Sequence, residues 1–461
     1  MSTGADADAA ADGGAAADGG AGAEGRVGAQ GGVGSQAGAG AQGGVGAQGG
    51  VGAQGGVGAQ GGVGEGGRTG AEWTSGGGAE MTSEGTRSAL ALVRDRLKRV
   101  AIVHEWLTIP GGSEQVLIAL LRMFPDAALY ASIHQRGPWP PEIEERQVRA
   151  SFLNSLPGAK SHYRRMLPFM GAAYRSFDLS GFDLVISSSH AMAKNVKAPA
   201  GCLHVCYCHT PIRYAWDEGF LREEQVSAPV RMLLPALMAY LRREDLKGAG
   251  GPHLYVANSQ HVAQRIRRFY GREATVVHPP VEVESVLHLR REPEDFYLVL
   301  GRLVPYKRVD LAIAACRALS RRLIIAGGGR ALPALRQAAG GSPLISFLGS
   351  VPESERLRLL SKARALLFPG QEDFGIVPVE ASAAGLPVIA YGVGGATESV
   401  IDGVTGLLFS EQTSESMIDA IRRFEAMSFD PERSRASAVR FAPQRFESQI
   451  ATAILEASGR G

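Results

Sequence analysis

At 461 residues the chain can hold two or three ordinary domains, and 48 basic against 46 acidic side chains leave a net charge of +2, too little to gather nucleic acid. Four cysteines in this length make no disulfide framework and fit a reducing compartment. No apolar run approaches the ~20 residues that span a bilayer, and no charged-then-apolar leader opens the chain, so it reads as soluble and cytoplasmic. The first stretch is different material. From Gly31 it cycles through GGVGSQ, AGAGAQ and then GGVGAQ three times. A lone Val per repeat cannot offset the backbone entropy of ordering, so a disordered low-complexity tail is expected over 1–95. It closes with a short charged lead-in from Leu92.

A first domain is expected over 96–285. Val100 to Val103 reads as a buried strand, followed by His104-Glu105-Trp106-Leu107 and a loop with Pro110, Gly111 and Gly112. Ser113 suits the cap of a helix whose apolar positions include Val116, Leu117, Leu120 and Leu121. The two glycines serve a tight turn or let backbone N–H groups approach an oxyanion, and both readings stand. Further strands are expected at Ala128 to Ser132, Leu184 to Ser187, Leu203 to Cys206, Leu254 to Ala257 and Thr275 to His278. Helical patterns between them predict a mostly parallel sheet covered on both faces.

Two segments, Tyr163 to Phe177 and Ala228 to Leu241, mix apolar residues with arginines at helical spacing. Such segments are ordinary helices with solvated arginines, or they rest on an anionic membrane surface. Cys202, Cys206 and Cys208 alternate along a strand without a second ligand pair, so no metal site is expected. His209 follows that strand and opens the rigid loop HTPIRYAWD, at the carboxyl end where a crevice forms in an open α/β sheet.

The second domain is expected over 286–430, after a charged linker from Glu282 to Glu294, and a final segment over 431–461. Strand Tyr297 to Leu300 leads to GRLVPYKRVD, where Arg302 and Lys307 either form a solvated basic loop or clamp a diphosphate. Strands Arg322 to Ala326 and Leu344 to Leu348 follow, each ending in glycine. The apolar run Ala365 to Phe368 then meets PGQEDFGIVPVEASAAGLPVIA. Glu372 lies just past that strand, and Glu380 near the start of a helix from about Val377. N–H groups of Gly375, Ile376 and Val377 at the helix N-terminus suit an anionic or hydroxyl-rich ligand. Two carboxylates eight residues apart hold separate parts of one such ligand, or they are a solvated helix face and a loop residue.

The string EDFGxxxxE, with Gly385, Pro387 and the GGxxE loop at Gly394, Gly395 and Glu398, resembles the signature of family 4 glycosyltransferases. So do HTPIRYAWD, Asn258-Ser259 and Arg302 with Lys307; the likeness runs from about Val100 to Leu455, nearest to bacterial surface-polysaccharide and mannosyltransferase-like members. Where the family has glycine after the lysine, this chain has Arg308, and Gly328 replaces a common acidic residue. The resemblance implies the GT-B fold: two Rossmann-like, doubly wound α/β domains facing a cleft, with a terminal helix returning to the first.

It also implies retaining, metal-independent transfer of a hexose, mannose favoured, from a nucleotide-diphosphate sugar to a glycan or lipid-linked hydroxyl. No cofactor beyond that donor, no nucleic acid and peripheral contact with an anionic membrane at the inner face complete the expectation. Carried onto this sequence, Arg302 and Lys307 neutralise the leaving diphosphate, Glu372 holds sugar hydroxyls, Glu380 the ribose, and His209 the reacting centre. Gly111, Gly112, Ser259, Val351, Phe374, Gly375 and Ile376 are expected around donor and acceptor. The rival readings are a nucleotide-sugar 2-epimerase of the same architecture and a non-catalytic nucleotide-sugar-binding protein.

Overall fold

The computed structural model describes residues 83–109, 111–217 and 228–459; the repeats fall outside that range. Two parallel sheets form the frame. The first, in order β3-β2-β1-β4-β5-β6-β7, holds β1 (Val100–Leu107), β2 (Ala128–His134), β3 (Val148–Ala150), β4 (Leu184–Ser189), β5 (Leu203–Cys208), β6 (Leu254–Ala257) and β7 (Thr275–Val276). The second, in order β10-β9-β8-β11-β12-β13, holds β8 (Tyr297–Leu300), β9 (Leu323–Ala326), β10 (Ile345–Gly349), β11 (Leu366–Phe368), β12 (Val388–Tyr391) and β13 (Gly406–Phe409). In both, the order reverses beside the first strand, which opens a crevice at the carboxyl ends.

The longer helices are α1 (Ser83–Arg96), α2 (Gly112–Met123), α3 (Leu167–Arg175), α4 (Ala228–Ala249) and α5 (Gln260–Tyr270), followed by α6 (Val309–Ala318) and α7 (Leu332–Ala339). After them come α8 (Glu353–Lys362), α9 (Ile376–Ala383), α10 (Ser414–Glu425) and α11 (Pro443–Ser458). Alternate strand residues face opposite ways. Ile102 of β1 packs with Leu117, Leu120 and Ile186, whereas Ala101 and Val103 pack with Tyr130, Met170 and Tyr174. In β8, Leu298 and the pair Tyr297 and Val299 divide the same way. Both sheets are thus buried on two faces, as parallel sheets require. Helix α11 crosses to the first sheet, where Phe446, Ile450 and Ile454 join the core of Ile102, and α1 adds Ala89 and Val93.

Several expectations change. The tail expected over 1–95 overlaps a helix, because Ser83–Arg96 is helical and Val93 is only 1% exposed; the rest of that expectation lies outside the described residues. Strand β1 runs on through His104 to Leu107, pairing Trp106 with Ile133 and Leu107 with His134. Its polar residues hid this, and internal partners satisfy them, as described below. The helix expected from Tyr163 to Phe177 begins as a 3-10 turn over Tyr163–Met166, and Pro168 lies in the first turn of α3. Strands β3 and β13 were not expected: Val148–Ala150 has arginine at its centre, and Gly406–Phe409 opens on glycine.

Candidate active site

The first-domain side starts where β1 ends. Gly111 is extended and precedes α2, and a methyl group at Gly112 would come within 3.0 Å of Ile376 Cδ1 in the second domain. The glycine loop and the N-terminus of α9 therefore abut across the crevice. Gly375, with φ of 89°, makes the left-handed turn into α9 and leaves the first N–H groups of that helix without intrahelical partners.

Around that N-terminus the second domain gathers its charges. Lys307 Nζ lies 2.7 Å from Glu372 Oε1, both largely shielded, with Phe368 beneath the ammonium. Burial opposes the charge on Lys307, but Glu372 more than offsets it and holds its pKa above the ordinary value. Arg302, by contrast, is exposed and forms no ion pair among the described residues. The two cations therefore differ: Lys307 is tied to Glu372, and Arg302 remains available to an incoming anion. Arg356 Nη1 stands 3.2 Å from Glu380 Oε2, yet burial still raises the Glu380 carboxyl above its ordinary pKa. Neither glutamate is a solvated surface residue. Gly395 holds this segment closely: its N–H donates to the Glu372 carbonyl at 2.8 Å, and a Cβ there would lie 2.2 Å from Phe374 Cα. Val351 packs at the margin of the second-domain core.

His209 is half-buried at the end of β5, and its Nε2 lies 2.9 Å from Ser188 Oγ. Ser188 also meets His104 Nδ1 at 3.1 Å, and His104 Nε2 faces Glu114 Oε1 at 3.4 Å. His190 stands beside them, its ring 6.2 Å from that of His209 and 4.6 Å from Trp106. Burial, with His190 and His104 adding to it, holds His209 well below the usual imidazole pKa, so the ring is neutral near pH 7. His190 is also lowered, chiefly by burial, and the charge of Arg302 across the crevice contributes. Below the histidines, Glu105 Oε1 accepts from the N–H groups of His190, Ala191 and Ala193 and from Ser189 Oγ. Burial alone would raise this carboxyl; His190 and those hydrogen bonds bring it below its ordinary pKa. Sequence reasoning missed His104, Glu114, Ser188 and His190. The available signal was the run Ser187-Ser188-Ser189-His190 at a strand's carboxyl end.

Two residues expected near the ligand also take part in the domain contact. Ser259 is fully buried, caps α5 by accepting from Val262 N, and donates to the Asp373 carbonyl at 2.5 Å. The Phe374 ring is buried between His278 and Phe441, so only its backbone is left for a ligand. Arg213 of the HTPIRYAWD loop reaches Asp373 Oδ2 at 2.9 Å, beside Glu372. Farther along, the Glu398 carboxylate accepts from Gln260 N at 2.9 Å and His261 N at 3.2 Å and pairs with His278 Nε2 at 3.0 Å.

The arrangement can hold an anion between Arg302, Lys307 and a helix N-terminus, with a neutral imidazole opposite. A family model described as Glycosyltransferase Family 4 matches residues 110–285, and one described as Glycosyl transferases group 1 matches 282–441. The D-inositol 3-phosphate glycosyltransferase of Mycobacterium tuberculosis (strain ATCC 25177 / H37Ra) is 32% identical over 189 residues, 36% of this chain and 39% of its own length. That of Frankia alni is 33% identical over 162 residues, 31% of this chain and 40% of its own length. The chain thus spans about two fifths of these curated relatives. Among solved structures, Anabaena HepE in complex with UDP and glucose aligns over 76% of this chain and 98% of its own, with TM-score 0.57 and 19% identity. The lipopolysaccharide outer core galactosyltransferase WaaB, in its apo form, aligns over 78% and 99%, with TM-score 0.54 and 16% identity. Two adjoining family models over 110–441, on a fold of two facing Rossmann-like sheets, make the chain a member of the family 4 glycosyltransferases.

Proposed function

We propose that the protein is an active retaining transferase that moves a hexose, mannose favoured, from a nucleotide-diphosphate sugar to a hydroxyl of a glycan or lipid-linked acceptor. The observation that carries this is Arg302: an exposed cation with no ion pair among the described residues, next to the Lys307–Glu372 pair and opposite the histidines of the first domain. Arg302 and Lys307 neutralise charge developing on the leaving diphosphate, a task that in this reading needs no metal ion. Glu372 and Glu380, paired with Lys307 and Arg356, keep lone pairs to accept hydrogen bonds from sugar and ribose hydroxyls. The bond from the anomeric carbon to the phosphate oxygen breaks while that to the acceptor oxygen forms on the same face. The acceptor proton passes to the departing phosphate oxygen, so no protein base is required.

The curated relatives carry the name D-inositol 3-phosphate glycosyltransferase, which puts phosphorylated cyclitols among the acceptors to test. A lipid-linked acceptor at the inner membrane face fits the apolar residues exposed on α3 and α4. The deciding experiment is a donor screen by thermal shift and turnover with GDP, UDP, ADP and their sugars, on wild type and Arg302→Ala. A nucleotide that stabilises the wild type but not the variant, with sugar transferred, is expected. Binding without turnover across a broad acceptor panel would favour a non-catalytic role, and no shift with any nucleotide would overturn the reading.

A further inference from the structure

The three histidines clustered at the carboxyl ends of the first sheet are held differently. His104 meets Ser188 Oγ and Glu114 Oε1 through its two ring nitrogens, and His209 meets Ser188 Oγ through Nε2. His190 uses neither nitrogen. Its Nδ1 is buried without a hydrogen-bond partner among the described residues, which leaves Nε2 as the nitrogen the ring can offer.

The backbone that carries this ring is fixed from below. Glu105 is fully buried, and its Oε1 accepts from Ser189 Oγ at 2.9 Å, His190 N at 3.1 Å, Ala191 N at 2.7 Å and Ala193 N at 2.9 Å. A strand end tied to one carboxylate by four donors does not relax to find His190 a partner. The ring stands edge-on to Trp106, with centroids 4.6 Å apart and planes at 89°, and 6.2 Å from the ring of His209. Burial, with the charge of Arg302 across the crevice contributing, keeps it neutral near pH 7. Buried polar groups are nearly always paired, so a half-buried imidazole without a partner inside the fold is an incomplete site. Packing against Trp106 alone would be served by phenylalanine, which has no polar atom to leave unpaired.

We infer that His190 is a further substrate-contacting residue, whose Nε2 hydrogen-bonds a hydroxyl of a bound sugar. A hydroxyl suits the position because it both donates and accepts, and so pairs with Nε2 in either tautomer of the neutral ring. Donor sugar and acceptor sugar offer this same group, and the test separates them. The sugar's place in a transfer reaction rests on the proposed function; the ring's want of a partner stands apart from it.

The test treats the full chain with diethylpyrocarbonate, which modifies neutral, accessible imidazole nitrogens, and follows the peptide carrying His190 by mass spectrometry. His190 is expected to react in the free protein. GDP-mannose or UDP-glucose should slow that reaction, and GDP or UDP alone should not, where the donor sugar is the partner. Methyl α-mannoside should slow it where the partner is an acceptor sugar. No reaction in the free protein, slowing by none of these probes, or equal slowing by the bare nucleotides overturns the inference. His190→Phe keeps a ring against Trp106 and should hold Tm, while kcat/KM falls about tenfold, the worth of one hydrogen bond. His190→Gln, which keeps a hydrogen-bonding side chain, should recover part of that loss. An unchanged kcat/KM in His190→Phe also overturns the inference, and if that variant does not fold the protection of the wild type decides. Protection by a sugar without turnover would support the contact and count against the transferase reading; turnover without protection would do the reverse.

Discussion

Arg302 and Lys307 look equivalent as letters and differ as residues. Lys307 is shielded and paired with Glu372, so Lys307→Ala strips a partly buried carboxylate of its counter-charge as well as removing a cation from the site. We expect a stability loss of about 1–2 kcal/mol, below the figure for a fully buried pair because both groups retain some solvent. In the same variant kcat/KM should fall by about 10²–10³. Arg302→Ala should stay within about 0.5 kcal/mol of wild type while losing nucleotide affinity, since Arg302 is exposed and forms no ion pair among the described residues. Thermal melts beside donor titrations separate the two, and equal stability losses would refute the distinction. That difference was not legible in the sequence, where GRLVPYKRVD shows two cations on one loop and nothing of the carboxylate brought in from residue 372. His209 could be singled out from its place after a strand. Its support could not, because His104, Glu114 and Ser188 come from three separate elements that only the sheet order brings together.

Among the elements, the strand–helix units were legible because their strands hold short apolar runs, and in the second sheet β8, β9, β11 and β12 are followed directly by glycine or proline. The places where reading failed are polar residues inside a strand, as at His104 and Glu105, and the strands Val148–Ala150 and Gly406–Phe409, where arginine and glycine interrupt the apolar pattern. The contact between α5 and the Glu398 loop was equally hidden, since it joins elements more than a hundred residues apart. The carboxylate sits on the positive end of α5 and against His278. Burial would raise it, but His278 and the N–H groups of Gln260 and His261 hold its folded pKa below the ordinary value. A depressed carboxylate gives its full stabilisation above its unfolded pKa and loses it as pH falls through the folded one. Glu398→Gln should therefore lower Tm near neutral pH, and the gap to wild type should close below about pH 4. Melts at intervals from about pH 3 to pH 7 test this, and a gap independent of pH would show that the charge does not hold the domains together.

At the scale of the molecule, no helix among the described residues is long and apolar enough to cross a membrane. One face of the first domain nevertheless exposes Phe169, Leu233, Leu237 and Tyr240, and Tyr240 Oη donates to the Pro168 carbonyl, which joins α3 to α4. Arg165 and Arg243 are exposed on the same two segments. Such a face should bind anionic vesicles at low salt and release them at high salt, with Leu233→Asp weakening both states. Failure to co-sediment at low salt would remove the membrane from the functional picture. The return of α11 has a different consequence, one that concerns the making of the protein. The sheet core around Ile102 and Leu117 is finished by Phe446, Ile450 and Ile454, so the first domain cannot complete its core until the whole second domain and then α11 have left the ribosome. Until then the nascent chain holds an open apolar face, and a translation product cut short before α11 would carry that face uncovered.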